Sequence, residues 1–592
     1  MTYLCRQEMK TNMIMYKKLF VAAALMTACL QTNAQTMATE YKGTSNGNPI
    51  SGSVYCADPT ALEYNGRLYV YGSNDHQQFI ANGKKGENTY GDIKSIVVFS
   101  TDDMVNWTFH GTIDTKKLCG GWVTSPWWHG FGVSWAPSVT WRTNAETGED
   151  EFFLYFCNSS HGVGVLRATS PTGPWKSPNK ELMVTYDTPG ANAQGTNANF
   201  DPGVTIDENG VGWLSFGGLG PSTIMPNAAR IVKLKPSMTE VDSTAVIIPA
   251  PYHFEANELN VIGGKYVYTY CSNWAGRTDA DWNAYKAEHG ITISAPNTCT
   301  MCYMVSDNPT DPSSWVYKGV YGPHPGYGTN NNHSHLQKFQ GNYYHLYHNA
   351  YLMEQMRAAG VIDNNCGIFR SLCINKATVN ESTATISTVT TDLTGPEAIK
   401  FLNPYELQQA ETMATCGGIE YEDFTNVKKN GRVSNLGNDA SENMQVKMNA
   451  GSWIMLKKVD FGSNGAAKLL LRAKGEGTIE FRLGRKAAKA SATIDISSTD
   501  MTDYVIDVEA TKFTGQKSVY IVATAATNLY LDAWQFTESD PAGIQEIVNG
   551  KSSNSNYYDL NGRSLPDARQ HRGIVIEQYT DKNGVKRTRK RF

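Results

Sequence analysis

Over about the first 400 residues, apolar and polar positions alternate in short runs bounded by Gly, Asp and Asn. That period of two predicts β-strands joined by tight turns, with few helices. Five segments repeat one order of polar head, alternating strand, Gly-bearing turn and aromatic strand. They are "ADPTALEYNGRLYVYGS" from Ala57, "WAPSVTWRTNAETGEDEFFLYFC" from Trp135, "FDPGVTIDENGVGWLSFGG" from Phe200, "FEANELNVIGGKYVYTYCS" from Phe254 and "HSHLQKFQGNYYHLYHN" from His333. A second phrase recurs between them as "STDDMVNWTFHG", "SPTGPWKSP" and "SDNPTDPSSWVYKG". Recurring hairpins at roughly this spacing predict propeller blades, and five heads predict five blades. The first strand of each blade lines the axis, so the strand heads converge. Asp58, Asp201 and Glu255, far apart in the chain, are thereby expected in one pocket.

From Asn403 the repeat stops. Short alternating strands run to "TNLYLDAWQF", ending at Phe536, which predicts an antiparallel β-sandwich. A polar linker, "ESDPAGIQEIVNGKSSNSN", precedes a last stretch with a "YDLNGR" turn and a basic end, "KRTRKRF". The expected organisation is all-β: an export segment over 1–34, a five-bladed propeller over 35–402, a sandwich over 403–538, and a linker and tail over 539–592.

Composition agrees with that class. Charged residues are 18 % of the chain and aromatics 11 %, with 53 Gly for the turns. A formal charge of −4 provides no field for nucleic acid or anionic lipid. Past the N-terminus no apolar run approaches the ~20 residues of a spanning helix. "MYKKLFVAAALMTACLQTNAQ" (15–35) has the basic, apolar and small-residue regions of an export signal, with cleavage expected after Ala34. "LMTAC", ending at Cys29, leaves lipid anchoring as the alternative. The cysteines lack framework spacing. The lone CxxC, Cys299 and Cys302, sits in a strand-like run, so buried thiols are expected rather than a metal site.

Three acids on separate blades suit the hydrolysis of a glycosidic bond by inversion. One carboxyl protonates the leaving oxygen, a second activates water, and a third raises the acid's pKa. The motifs "ADPT", "WAPSV", "FDPG", "FEA" with "GGKYVYTY", and "NNHSH" with "YYHLYH", in this order, resemble glycoside hydrolase family 43 over about 40–400. The resemblance implies Asp58 as general base, Asp201 as pKa modulator and Glu255 as general acid. Glu258 competes for the last role. Glu255 fits the family register better, because Ala256 follows it and Lys265-Tyr266 lies downstream. The resemblance further implies Arg370, in "GIFRSLCI", facing substrate; pairing with a buried acid is the alternative. It makes His333 a ligand of a central metal, commonly calcium, although a lone imidazole is a poor Ca²⁺ ligand. His333 could equally fill the channel. Trp135 heads its blade without an acid and is expected to stack on a sugar face or to pack internally.

The second half resembles a family 6 carbohydrate-binding module through "QQAET", "GSWIMLKKVDFG" and "NLYLDAWQF". That implies Gln409, Glu411 and Asp532 around a structural calcium. Trp453 and Trp534 are open between core and ligand contact. The tail looks like a shortened sorting or anchoring segment, or a solvated basic end. The function expected is a monomeric, secreted glycosidase acting on plant hemicellulose. It would release α-L-arabinofuranosyl or β-D-xylosyl units from xylan or arabinan. Two rivals stand: a retaining fructan-active propeller, which wants Asn rather than Ala57 before its first Asp, and a noncatalytic glycan-binding protein, which would be expected to lack one acid.

Overall fold

The computed structural model describes residues 37–82, 88–120, 124–125, 130–327, 331–363, 367–421 and 439–538, together with four strands beyond 555. The five predicted blades are present. Blade 1 runs Ala57–Tyr64, Arg67–Ser73, Ile96–Thr101 and Trp107–Ile113. Blade 2 runs Trp135–Thr143, Asp150–Cys157 and Val163–Ala168; blade 3 runs Gly203–Ile206, Gly212–Phe216, Arg230–Lys233 and Val246–Ile247. Blade 4 runs His253–Ile262, Lys265–Ser272, Met301–Ser306 and Val316–Gly322; blade 5 runs Ser334–Phe339, Asn342–Asn349 and Ser371–Ala377. The first strands of successive blades touch one another, and that of blade 5 touches that of blade 1, closing the ring.

Alternation explains the cores. One face of each sheet packs against the next blade. Leu62, Tyr71 and Val98 of blade 1 meet Val139, Leu154 and Phe156 of blade 2, while Phe153 and Val165 of blade 2 meet Val204 and Leu214 of blade 3. The segment before blade 1 binds blade 5 and seals the ring. The Ile50 N–H donates to Leu372 O at 2.8 Å and the Cys56 N–H to Arg370 O at 2.9 Å.

At the heads of blades 1 to 4 the backbone turns sharply. Asp58, Ala136, Asp201 and Ala256 all have positive φ (50°, 36°, 50° and 63°), and in blades 1, 2 and 4 the pairing with the second strand slips there. Bulges of this kind re-aim side chains, and a non-Gly residue at such φ is uncommon. The three acids at the blade heads do not hold equivalent backbone positions. Asp58 and Asp201 occupy the positive-φ position itself, whereas Glu255 stands one residue earlier, level with Trp135 and Phe200.

The sandwich is built on long strands, Trp453–Asp460, Ala466–Leu483, Ala490–Asp507 and Gln516–Glu538. Its core gathers Leu469, Leu471, Phe481, Ile521, Trp534 and Phe536. Trp453 and Trp534 are both fully buried, so the open choice between core and ligand contact resolves to core. The expected boundary at 402/403 is not a gap between separate bodies. Thr412–Met413 pairs with Trp107–Thr108 as a fifth strand of blade 1, and the Trp453 indole N–H donates to Ala38 O at 3.0 Å. Lys42 is wholly buried at this seam, its ammonium donating to Ala414 O at 2.7 Å.

The described cysteines are all buried and free, Cys299 and Cys302 included. No helix among the described residues is long and apolar enough to cross a membrane. The last unit is a four-stranded antiparallel sheet of Asn556–Tyr558, Ser564–Leu565, Val575–Thr580 and Lys586–Arg591. The export segment, Trp122, Trp127 and Trp128 lie outside the described residues.

Candidate active site

At the axis, Asp58, Asp201 and Glu255 line one cavity of about 110 Å³ with Tyr90, Trp135, Phe200, Asn331, His333 and Arg370. All three predicted acids, both predicted substrate-facing residues and His333 are therefore brought together. Asp58 and Asp201 are buried, and Glu255 is half-buried.

Each acid has a different electrostatic setting. Asp58 Oδ1 accepts from Arg370 Nη1 at 2.7 Å, and the His333 and His348 rings stand 3.7 and 3.5 Å from it. Burial pushes its carboxyl up, but Arg370, and after it His333, outweigh burial and hold it down at about 2. Asp58 is therefore a carboxylate at any working pH. Asp201 has no such cation in contact. Its Oδ2 accepts the Ala256 N–H at 2.9 Å and lies 3.9 Å from His333 Nδ1. Burial, with the negative Asp58 nearby, raises it to about 6 against the pull of His333. Glu255 is pushed well above the carboxylate range by burial, then by Asp201 and Asp58. A carboxylate, a carboxyl of intermediate affinity and a proton-holding acid thus share one pocket. That gradation is what splits acid and base roles between like groups.

The substrate-facing reading of Arg370 gains a second part. Besides reaching Asp58, Arg370 grips Asp75 through Nε and Nη2 at 2.9 Å each, and its N–H donates to Asp75 Oδ2 at 2.9 Å. Its guanidinium also lies 5.1 Å from the Tyr90 ring centre. Asp75, wholly buried at the start of the helix Asp75–Asn82, escaped sequence reading, as did His348. The His348 Nδ1 accepts the Asp58 N–H at 3.1 Å. The proton must then sit on Nε2, which donates to Asn331 Oδ1 at 3.1 Å. Burial, with Arg370 adding to it, lowers His348 to about 3, so the ring is neutral. A buried acid directly after an aromatic strand, in "YGSND", was the available signal for Asp75.

Trp135 fixes its ring by donating to Tyr90 O at 3.0 Å, and it forms part of the pocket wall. Glu258 is elsewhere. It is buried beneath the pocket, where its Oε1 meets His335 Nδ1 at 2.5 Å. It does not line the cavity. Phe254, the residue before Glu255, stands edge-on to the exposed Trp274, ring centres 4.7 Å apart, outside the lining.

In the sandwich, Gln409 pairs with Ala533, which brings Glu411 beside Asp532. Both acids are buried. Glu411 Oε1 has no hydrogen-bond partner, and burial, then Asp532, raise its carboxyl well above the usual range. Asp532 accepts from Asn443 and lies 3.9 Å from Arg472.

Known proteins match this architecture. The model of the glycosyl hydrolases family 43 matches residues 46–383, and that of the carbohydrate binding module (family 6) matches 409–538. An arabinoxylan arabinofuranohydrolase of Bacillus subtilis is 35% identical over 87% of this chain and 97% of its own length. One of Paenibacillus polymyxa is 35% identical over 83% of this chain and 74% of its own. The crystal structure of a family 43 arabinoxylan arabinofuranohydrolase from Bacillus subtilis, in complex with cellotetraose, superposes with a TM-score of 0.71 at 32% identity, covering 86% of this chain and all of that one. With its acids gathered at the axis of five blades and a sandwich joined to blade 1, this chain belongs to glycosyl hydrolases family 43 and carries a family 6 carbohydrate-binding module.

Proposed function

We propose that this chain is a secreted, inverting exo-acting glycosidase that removes α-L-arabinofuranosyl units from arabinoxylan. The observation that carries it is the pocket: a small cavity at the blade heads, with three acids of graded proton affinity on its wall. A cavity of that size takes one small sugar ring rather than a run of polymer, which favours release of side units.

In this reading Asp58 is the base. Its charge is kept by Arg370, and it draws a proton from a water that attacks the anomeric carbon. Glu255, half-buried on the wall, gives its proton to the departing main-chain oxygen. Asp201 keeps Glu255 protonated until that step and fixes the adjacent backbone through the Ala256 N–H. Trp135 and Phe200 offer flat faces to sugar C–H groups. The similarity to the two arabinofuranohydrolases supports arabinose over xylose as the released sugar. Parallel assays of aryl α-L-arabinofuranoside and aryl β-D-xyloside, followed by wheat arabinoxylan, test the choice. Faster xyloside cleavage would overturn it.

A structural calcium in the sandwich belongs to the same proposal. The donors fit: the bare Glu411 oxygen, the buried Asp532 carboxylate and the Gln409 amide are hard oxygen ligands. Bound there, the cation would neutralise two buried acids and staple the first and last strands of the module. The centre of the propeller fits less well. His333 faces two carboxylates that the reaction needs, and among the described residues no three His, Cys, Asp or Glu gather for a metal. Export rests on the segment before Ala34.

A further inference from the structure

A second polar cleft of about 450 Å³ lies on the seam where the chain entering the propeller crosses the sandwich. Thr44, Ser45, Met455, Lys457, Lys458, Gln516, Lys517 and Ser518 line it. Three features set it apart from the catalytic pocket. Its wall carries three lysines and no carboxylate. Its remaining polar groups are hydroxyls and one amide, and no aromatic ring is among them.

The lysines are placed by structure rather than scattered. Lys457 and Lys458 sit where the pairing of Trp453–Asp460 with Gln516–Glu538 slips, between Leu456 and Val459. Lys458 there has φ 57° and stands exposed. Such a bulge turns successive side chains out of strict alternation. Lys517 comes from the neighbouring strand, across from Val459. Lys457 is anchored, its Nζ donating to Asn46 O at 3.0 Å and its backbone N–H donating to Asn106 Oδ1 at 2.9 Å. Behind the wall lies the buried Lys42, whose ammonium is lowered to about 7 by burial and then by Lys457. The nearby Asp460, outside the lining, accepts the Gly462 N–H through Oδ1 at 2.9 Å.

A neutral sugar is held by stacking on aromatic faces, which this cleft lacks. Ammonium groups with hydroxyls around them fit a carboxylate borne on a polyhydroxy ring. The geometry points to a binding site for the acidic sugar of a uronate-substituted xylan, remote from the catalytic pocket and holding the polysaccharide while that pocket works on its arabinose units. This rests on the proposed hemicellulose substrate. Each contact is solvent-facing and weak, so the gain comes from linking two sites on one polymer.

The experiment uses the full chain in affinity electrophoresis. Gels contain a glucuronic-acid-bearing xylan, the same xylan with its carboxyls reduced, or neutral arabinoxylan. The variant is Lys458→Gln/Lys517→Gln, at two side chains that face solvent or half face it. Retardation by the acidic xylan should fall roughly three- to tenfold in the variant, the loss of two exposed ion pairs. It should fall likewise on carboxyl reduction, and diminish with salt. Turnover of the aryl arabinofuranoside should stay unchanged, which separates this site from the catalytic reading. Equal retardation of variant and parent, or by native and reduced xylan, would overturn the assignment. So would calorimetry in which sulfate binds, Lys458 and Lys517 are needed for it, and the acidic xylan does not compete.

Discussion

The propeller and the sandwich each bury carboxylates, and they treat them in opposite ways. Asp58 is given a guanidinium at 2.7 Å and falls to about 2. Glu411 is given no cation and keeps an oxygen without a partner. An isolated buried charge is costly, so a fold must supply a counter-charge, keep a proton on the acid, or take up an external ion. The propeller uses the first two devices side by side, which is how like groups acquire different tasks. The sandwich supplies Glu411 no counter-charge, so that acid keeps its proton unless an external ion takes its place.

The comparison breaks most visibly if the propeller acids are not divided as described. Asp58→Asn and Glu255→Gln should each lower turnover by about 10²–10⁴-fold or more. Glu258→Gln should spare the chemistry and instead lower stability, by about 3–5 kcal/mol, because His335 loses its buried partner. Steady-state rates beside denaturant melts separate the two outcomes. Loss of catalysis in a stably folded Glu258→Gln protein would move the general acid to Glu258.

Asp75 sharpens the part played by the internal cation. Asp75→Asn leaves the shape but frees one fork of Arg370. We expect kcat to fall by up to about 10²-fold, the effect of a misplacement near 1 Å, with KM changing less. Unchanged kcat would make Asp75 a stability residue only.

A smaller effect tests the gradation of proton affinity. Asp58, at about 2, stays charged through the working range, so activity should persist on the acidic side. Glu255 loses its proton as pH rises through its elevated pKa, so kcat/KM should fall on the alkaline side. Asp201→Asn removes one negative neighbour, and Glu255 then deprotonates more easily. The alkaline limb should move to lower pH. A limb that stays in place or moves up removes Asp201 as modulator, and an NMR time course showing retained anomeric configuration removes the inverting scheme.

The smallest effect concerns the sandwich. Without a cation Glu411 holds a proton, because its folded pKa lies above the unfolded one; folding then loses stability as pH rises through the folded value. Ca²⁺ displaces that proton and should restore it, by about 2.7 kcal/mol at a hundredfold excess over Kd. Chelation of the full chain should therefore lower Tm by more at alkaline than at acid pH. A melt indifferent to chelator at both pH values would leave Glu411 and Asp532 without a metal.

The repeat itself carried most of what could be read in advance. Five polar heads before aromatic hairpins give five blades, because alternation at period two needs only local chemistry, and the axis then gathers Asp58, Asp201 and Glu255 whatever lies between them. Tertiary structure alone decided the rest. The one-residue offset of Glu255 comes from backbone turns at the blade heads, which no side-chain pattern marks. Arg370, His348 and Asp75 become one network because strands of blade 5 meet the head of blade 1 across some 300 residues, as in the Arg370 to Asp58 bond spanning 312 positions. The seam between propeller and sandwich likewise depends on Thr412–Met413 finding Trp107–Thr108. The sequence by itself determines which residues can hold, give or lose a proton. Burial and the distance to the nearest opposite charge determine which of them does so, and those are properties of the folded chain.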